Sequence, residues 1–338
     1  MMAARPAMSA NKTLIEWTDA TWNPVRGCSR VSEGCRHCYA ERMAARFSRS
    51  GQPFAGFAHL VDGKPRWTGK IGLVQSALDL PLCWRKPRRI FVNSMSDLFH
   101  ENLPDGAIDR IFAVMALTPR HTFQILTKRP ARMRTYLTDG EVYRRIDWWN
   151  AETCSGDFYD AAAAAREQRF GIEHPWPLPN VWLGVSVEDQ ATADARLPLL
   201  LDTPAAGRFV SAEPLLGPVT IDDFLPAPFP ALDRAVSGRR GPCLDWVIAG
   251  GESGPGARPM HPDWARSLRD QCAPARVAFF FKQWGAWWPA PDTDTWSTYD
   301  HWPASKKTLW SSGHTSLLYS KKATGRLLGD REWNQFPR

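Results

Sequence analysis

Three cysteines, Cys28, Cys35 and Cys38, fall within eleven residues of a segment that reads GCSRVSEGCRHCYA from Gly27 to Ala40. The gaps are six residues and then two, so the last two thiolates can chelate one centre while Gly34 permits the tight turn that brings Cys28 round. Thiolates are soft ligands that suit iron–sulfur clusters, zinc or copper(I). A structural zinc wants four protein ligands. The fourth could be His37, but it lies between Cys35 and Cys38 and would have to bend back sharply. A redox Cys35–Cys38 pair would leave Cys28 idle. Buried structural cysteines would sit oddly in a segment that also carries Arg30, Ser32, Glu33 and Arg36. The pattern therefore favours metal, and iron over zinc. Three cysteines on a four-iron cluster leave one iron without a protein ligand, which is the open position a catalytic cluster needs.

The elements that must position this loop read as α/β. Near-continuous apolar runs, as in strands buried on both faces, occur at Arg89–Met95, Thr122–Lys128, Val181–Val187, Arg208–Ala212, Asp245–Gly251 and Ala278–Gln283. An earlier strand is expected within Ile15–Val25, just before the cysteines. Helical patterns at Tyr39–Arg49, Asp105–Leu117, Gln190–Leu201 and Pro262–Cys272 alternate with these runs. About seven strands favour a β/α barrel, partial if incomplete, with an open doubly wound sheet as the alternative. The reading is a single domain over 1–338, decorated by an insertion at 138–179 with an Ala161–Ala165 helix and by a Trp- and Lys-rich extension at 285–338.

Chemistry in such barrels collects at the C-terminal ends of the strands. The sequence offers Asn93, Ser94, Ser96 and Asp97 there, then Thr127, Lys128 and Arg129, then Ser186 and Glu188, Ser211 and Glu213, Glu252 and Ser253, and Lys282 and Gln283. Each of these taken alone could be a helix cap or a solvated loop residue. No phosphate-binding loop or nucleophile elbow is present, because Pro255 occupies the place of the second glycine in G-x-S-x-G. Cys83, Cys154, Cys243 and Cys272 show no ligand spacing and read as buried free thiols.

The cysteine loop resembles that of radical S-adenosylmethionine enzymes, which have three residues in the first gap where this chain has six. His37 matches their aromatic position before the last cysteine. The wider match, through TWNPVRGC, GCRHCYAERMA, FVNSMSDLFH, FQILTKRP, VWLGVSVED, AGGESGPGARPM, FFFKQWG and GRLLGDREW, resembles a phage- and prophage-associated three-cysteine-motif family that is radical-SAM-like. This resemblance implies a partial barrel of the radical-SAM type, a 4Fe–4S cluster on Cys28, Cys35 and Cys38, and S-adenosylmethionine. It implies an enzyme that generates a 5′-deoxyadenosyl radical and acts on a substrate the sequence does not name. The alternative is a non-catalytic iron–sulfur or zinc protein that binds nucleic acid. Expected cofactor contacts are His37 and Tyr39 beside Cys38, Ser94, and the acceptors Asp97, Glu213 and Glu252. Lys128 and Arg129 are expected to receive the carboxylate. Gly250-Gly251-Glu252 resembles the family's glycine–glycine–glutamate motif, although it follows the sixth strand here and the second strand there.

The formal charge of +7 suits an anionic partner but is also within reach of an ordinary solvated surface. Basic runs at Arg85–Arg89 and Lys128–Arg134, with Trp84 and the tail tryptophans nearby, point to a nucleic-acid or nucleotide substrate. An electron donor is also required. Seven cysteines without a paired framework, no apolar secretion signal and no membrane-length apolar stretch make a cytoplasmic, membrane-free protein the expectation.

Overall fold

The computed structural model describes residues 13–153, 164–165, 167–168, 176–226, 241–294 and 296–337. The first twelve residues, Cys154 and Ala161–Ala163 lie outside them, while Ala164 and Ala165 are helical. Seven strands follow one another in chain order through a single sheet. They are β1 (Ala20–Trp22), β2 (Arg89–Val92), β3 (Thr122–Thr127), β4 (Val181–Ser186), β5 (Gly207–Ala212), β6 (Trp246–Gly250) and β7 (Ala278–Gln283). The pairs β1–β2, β2–β3, β5–β6 and β6–β7 are parallel. A doubly wound sheet reverses its strand order at a switch point. This one never reverses, so the doubly wound alternative falls. The order is that of a β/α barrel, partial because β1 and β7 end the sequence of pairings instead of joining. Every residue of β6 is buried, as the unbroken apolar run requires of a strand covered on both faces.

Packing divides the chain into two compact units. The first contains Met1–Arg30, Ala40–Gly184 and Thr203–Gly207, and the second contains Val31–Tyr39, Val185–Asp202 and Arg208–Arg338. In the first unit, Trp22 of β1 meets Phe123 of β3 with ring centroids 5.7 Å apart. Helix α1 (Tyr39–Arg46) follows the cysteines and stops short of the expected Arg49, where Ser48 Oγ donates to the Ala45 carbonyl. Helix α2 (Asp105–Ala116) buries Ile108, Ile111, Phe112 and Met115, one face at the helical period. Two further helices, α3 (Pro130–Leu137) and α4 (Val142–Thr153), extend beyond the expectation, and α4 falls within the anticipated insertion. An antiparallel hairpin of Ala58–Val61 and Lys64–Trp67 turns at Asp62-Gly63, both at positive φ. That is the mirror-image turn which matches strand twist and favours Asp-Gly.

In the second unit, Asp189 and Thr192 form a reciprocal capping box that opens α5 (Gln190–Leu201). Helix α6 (Pro262–Ala275) runs three residues past the expected Cys272 and stops at Arg276, which is left-handed. Trp246 of β6 is the centre of an aromatic core with Phe209, Phe280 and Phe336 at 5.9, 6.2 and 5.2 Å. The C-terminal extension forms a three-stranded antiparallel sheet of β8 (Trp287–Pro289), β9 (Lys307–Leu309) and β10 (Thr315–Leu318), with β10 central. Its last residues return along β7, where Phe281 donates to the Trp333 carbonyl at 2.9 Å and Gln335 to the Phe279 carbonyl at 3.2 Å. The tail therefore covers a strand edge that would otherwise present unpaired backbone groups.

His121, fully buried between the rings of Trp84 and Phe123, links the pH of the medium to stability in the first unit. Burial, reinforced by the Arg120 guanidinium, pushes its pKa down to about 4. Between pH 6.5 and 4 the unfolded chain binds a proton that the folded chain refuses, so stability rises with pH across that window. Acidification from pH 7 to 4 should cost roughly 3 kcal/mol at this site, at about 1.36 kcal/mol per pH unit. Denaturant titrations should show that loss in the native chain and a flatter pH dependence in His121→Gln. Equal slopes would contradict the assignment.

Candidate functional site

The cysteine loop leaves the sheet after β1. Val25 and Arg26 pair with Leu73 and Gly72, and Gly27 then turns at φ +90°. An added Cβ on Gly27 would lie 1.9 Å from the Lys70 carbonyl oxygen, so only glycine fits. Glu33–Cys35 forms one 3-10 turn, with the Cys35 amide donating to the Ser32 carbonyl and the Cys38 amide to the Cys35 carbonyl. All three thiols are half-buried and outside any disulfide. Cys28 belongs to the first unit, Cys35 and Cys38 to the second.

In the first unit, the ends of β2 and β3 hold the residue next to Cys28. Arg129 is 9% exposed and uses every part of its guanidinium. Nη1 donates to Asp97 at 3.1 Å, Nε to Glu101 at 2.5 Å, and Nη2 to the Ser29 hydroxyl and carbonyl at 2.7 and 3.2 Å. Asp97 also accepts from the Phe99 amide, the Thr127 hydroxyl and the Lys128 amide. Four donors fill its carboxylate, so it acts on the site through Arg129 and the Lys128 backbone. Burial disfavours the Arg129 charge, but Asp97, Glu101 and the nearby Cys28 outweigh it and hold the pKa above the ordinary value. Burial would raise the Glu101 carboxyl, but the bond to Arg129, a backbone bond and the Arg129 charge together outweigh it and pull it down to about 2. His100, fully buried, takes the Asn102 amide on Nδ1, which leaves Nε2 to donate to the Ser29 hydroxyl at 2.9 Å. Burial and then Arg129 lower its pKa, consistent with a neutral ring. Ser94 donates to the Asn23 side chain at 3.1 Å, on the same strand end. Arg30 forks onto buried Glu41 of α1, which also takes the Trp67 amide.

In the second unit, two other strand ends hold the rest of the loop. Glu188, 1% exposed after β4, accepts from the Ser32 hydroxyl at 2.9 Å and from Arg196 at 3.1 Å. A Cβ on Gly34 would lie 2.3 Å from the same carboxylate. Gly34 is not left-handed, so the expected tight turn is not the reason for it; the close approach of Glu188 is. Glu252, buried after β6, receives Nε, Nη2 and the amide of Arg258, whose Nη2 also donates to the Glu33 carbonyl at 2.9 Å. The His37 ring packs beside Gly256, its Cε1 2.9 Å from where a Cβ would stand, while Tyr39 is exposed. Glu213 takes both Lys282 bonds at 2.8 Å and one from Gln283, beside Gly250. Gly251 packs on the Trp284 carbonyl with no room for a side chain.

Asp97, Lys128, Arg129 and Ser94 thus come together in the first unit. Glu213, Gly250, Gly251, Glu252 and His37 lie in the second. The three acceptor carboxylates expected for a ligand each carry an internal cation, namely Arg129, Lys282 and Arg258. Glu41, His100, Glu101, Arg196 and Arg258 were not anticipated. Their only sequence signal is a charged type beside a motif residue. The basic runs also read differently in the fold. Arg132 is tied to Asp105 and two carbonyls, Arg89 pairs with Asp19, and Trp84 is buried under Arg88. Of the four remaining cysteines, Cys83 is exposed, not buried, because the chain around it lies at the surface of a short 3-10 turn. Cys243 is half-buried, and among the described residues Cys272 is the fully buried one of these thiols, pushed up to about 12 by burial.

Among the described residues, the one group of three histidine, cysteine or carboxylate side chains whose donor atoms all lie within 4.8 Å is His261, Asp263 and His314. Arg266 already lies 2.9 Å from Asp263, which supplies a cation there without a metal. No helix is long and apolar enough to cross a membrane among the described residues. A family model described as "Protein of unknown function (DUF5131)" matches residues 12–337. No curated protein and no solved structure matches the chain.

The close approach at Gly34 can be tested alone. Gly34→Ala must displace a buried carboxylate that is paired with Arg196, and overpacking of this kind costs about 1–3 kcal/mol. Gly106→Ala, in α2 with open space around it, should be neutral or slightly stabilising. Thermal unfolding of the two variants measures the difference, and equal midpoints would show that Glu188 does not fix the loop.

Proposed function

The chain belongs to the DUF5131 family, and we propose that it is a radical S-adenosylmethionine enzyme whose Cys28, Cys35 and Cys38 hold a 4Fe–4S cluster. In this reading the sheet is a partial barrel of the radical-SAM type. The observation that carries the proposal is the loop itself. Three thiols outside any disulfide sit on a polar segment whose intervening residues, Ser29, Ser32 and Glu33, are each bound by charged groups at or just beyond strand ends. A loop of buried structural cysteines needs no such scaffold. A zinc or iron–sulfur protein without catalysis would share the thiols but would not need an open coordination position.

The donor set fits the group. Thiolates suit a cluster, and the Arg129 guanidinium lies near enough to Cys28 for the two to interact. When bound, the cluster and S-adenosylmethionine supply one-electron cleavage of a carbon–sulfur bond, giving methionine and the radical that takes hydrogen from substrate. The electron comes from a low-potential one-electron donor. The chain's own part is to orient and enclose. Arg129 and His100 fix Ser29 beside Cys28, while Glu188 and Arg258 fix Ser32 and Glu33 before Cys35. Lys128, anchored through its backbone on Asp97, is the cation for the cofactor's carboxylate, and Ser94 is a polar contact on the neighbouring strand end. In the second unit, Gly251 leaves room for the Trp284 carbonyl and Gly250 sits beside Glu213 and Lys282, so the two glycines shape the strand end.

Anaerobic reconstitution should load about four irons per chain. Reduction with dithionite in the presence of S-adenosylmethionine should then release 5′-deoxyadenosine, detected by mass spectrometry. Cys28→Ala, Cys35→Ala and Cys38→Ala should each lose both iron and product, while exposed Cys83→Ala keeps them. Persistent stoichiometric zinc without iron uptake would overturn the cluster. Full iron with no 5′-deoxyadenosine would leave the non-radical reading.

A further inference from the structure

Several arginines of this fold, those around the strand ends among them, are spent on carboxylates: Arg30 on Glu41, Arg129 on Asp97 and Glu101, Arg145 on Asp109 and Asp139, Arg196 on Glu188, and Arg258 on Glu252. One part of the first unit breaks the pattern. Between residues 40 and 70 the chain carries Arg42, Arg46, Arg49, Lys64, Arg66 and Lys70 against two acids, Glu41 and Asp62. Glu41 is buried on Arg30 and the Trp67 amide. Among the described residues, none of the six cations forms an ion pair.

The same stretch exposes apolar side chains. Met43 and Phe47, four residues apart and so on one face at the end of α1, are 40% and 37% exposed, and Arg46 lies over the Phe47 ring at 5.6 Å. The hairpin is anchored to α1 through Trp67 and Glu41, and the Phe54 amide donates to the Phe47 carbonyl. Its register sets His59 opposite Arg66 and Val61 opposite Lys64, so these four share one face. Leu60 and Val61 stand exposed beside the turn. Lys70 sits over the Phe57 ring at 5.2 Å. Solvated cations alternating with exposed rings and aliphatic groups suit a ligand that offers both phosphates and flat apolar faces. A duplex hides those faces in its stack, whereas a single strand presents them.

We infer that the surface formed by α1 and the 58–67 hairpin binds single-stranded nucleic acid, with the cations on phosphates and Phe47 and Val61 against bases. The surface begins one residue after Cys38 in the chain, so the inference deepens the radical reading by naming its substrate class. It rests on that reading for catalysis only; binding can be measured without it. Of the runs that looked most basic in the sequence, Arg89, Arg129 and Arg132 are internally bonded and Trp84 is buried, so these residues are left out of the surface, and the exposed Arg85 and Lys86 serve as its control.

The test is fluorescence-anisotropy titration of the full chain with labelled single-stranded DNA, single-stranded RNA and a perfect duplex across a salt series. Single strands should bind more tightly than duplex, and affinity should fall steeply with salt. Arg46→Ala/Arg49→Ala/Lys64→Ala should weaken binding at least ten-fold and reduce the salt slope by about 2, at roughly 0.7 per single-strand phosphate contact. Phe47→Ala should weaken binding about five-fold or more with little change in slope, because stacking is not a counterion effect. Arg85→Ala/Lys86→Ala, an equally exposed basic pair elsewhere, should change little. No binding at low salt, a preference for duplex, or equal losses in the Arg85/Lys86 control would overturn the inference. Iron and 5′-deoxyadenosine measured on the same samples separate its failure from that of the radical reading. Absence of strand binding by the unsubstituted chain, with both intact, refutes the surface alone.

Discussion

A guanidinium as buried as that of Arg129 can stay charged only if carboxylates meet it inside the protein, and much of the first unit's site follows from that requirement. An uncompensated buried charge would cost several kcal/mol. Asp97 and Glu101 supply the compensation, and Asp97 must itself be fixed, which the Thr127 hydroxyl and the amides of Phe99 and Lys128 accomplish. The remaining arm of Arg129 then has one place to go, onto Ser29. A strand end is thereby converted into a clamp on the residue beside Cys28. The second unit solves the same problem independently. Glu188 is compensated by Arg196 and Glu252 by Arg258, and in each case the leftover hydrogen-bonding capacity reaches the loop at Ser32 or Glu33.

This arrangement explains why so many strands end in charged groups without leaving them open to solvent. Such groups at the C-terminal ends of parallel strands could have been bare ligand contacts. Most are instead bonded to one another, and in each unit some of them reach the part of the cysteine loop that belongs to that unit. Within each unit the bonds fix a part of the loop on folding, so its ordering entropy is met there and not on binding. The proposed enzymatic role needs that property, and the single-strand surface after Cys38 adds a way to bring a long substrate to the same loop.

The parallel sheet was legible because buried strands cannot hide. Runs such as RIFV, VWLGVS and WVIAG are too apolar for any exposed use, and their spacing leaves room for a helix between most of them. The cysteines were legible by spacing alone. What the sequence concealed was partnership. Nothing in the glycine- and proline-rich stretch after Gly251 announces that Arg258 folds back onto Glu252, and nothing marks Glu41 as the acceptor for Arg30 eleven residues earlier. Gly34 illustrates the limit well. A glycine was expected and a turn was the expected reason, whereas the contact that excludes a side chain comes from Glu188, far along the chain. The 58–67 hairpin carried a readable signal in Asp62-Gly63, but its strands are short and half polar, so periodicity gave it no weight.

The central claim is that the cluster on Cys28, Cys35 and Cys38 keeps one coordination position for S-adenosylmethionine. Electron paramagnetic resonance of the reduced, reconstituted protein reads that position directly. Addition of S-adenosylmethionine should change the cluster's spectrum in the native chain, and Lys128→Ala should require more cofactor for the same change while retaining its iron. A spectrum unaltered at saturating S-adenosylmethionine would contradict the account.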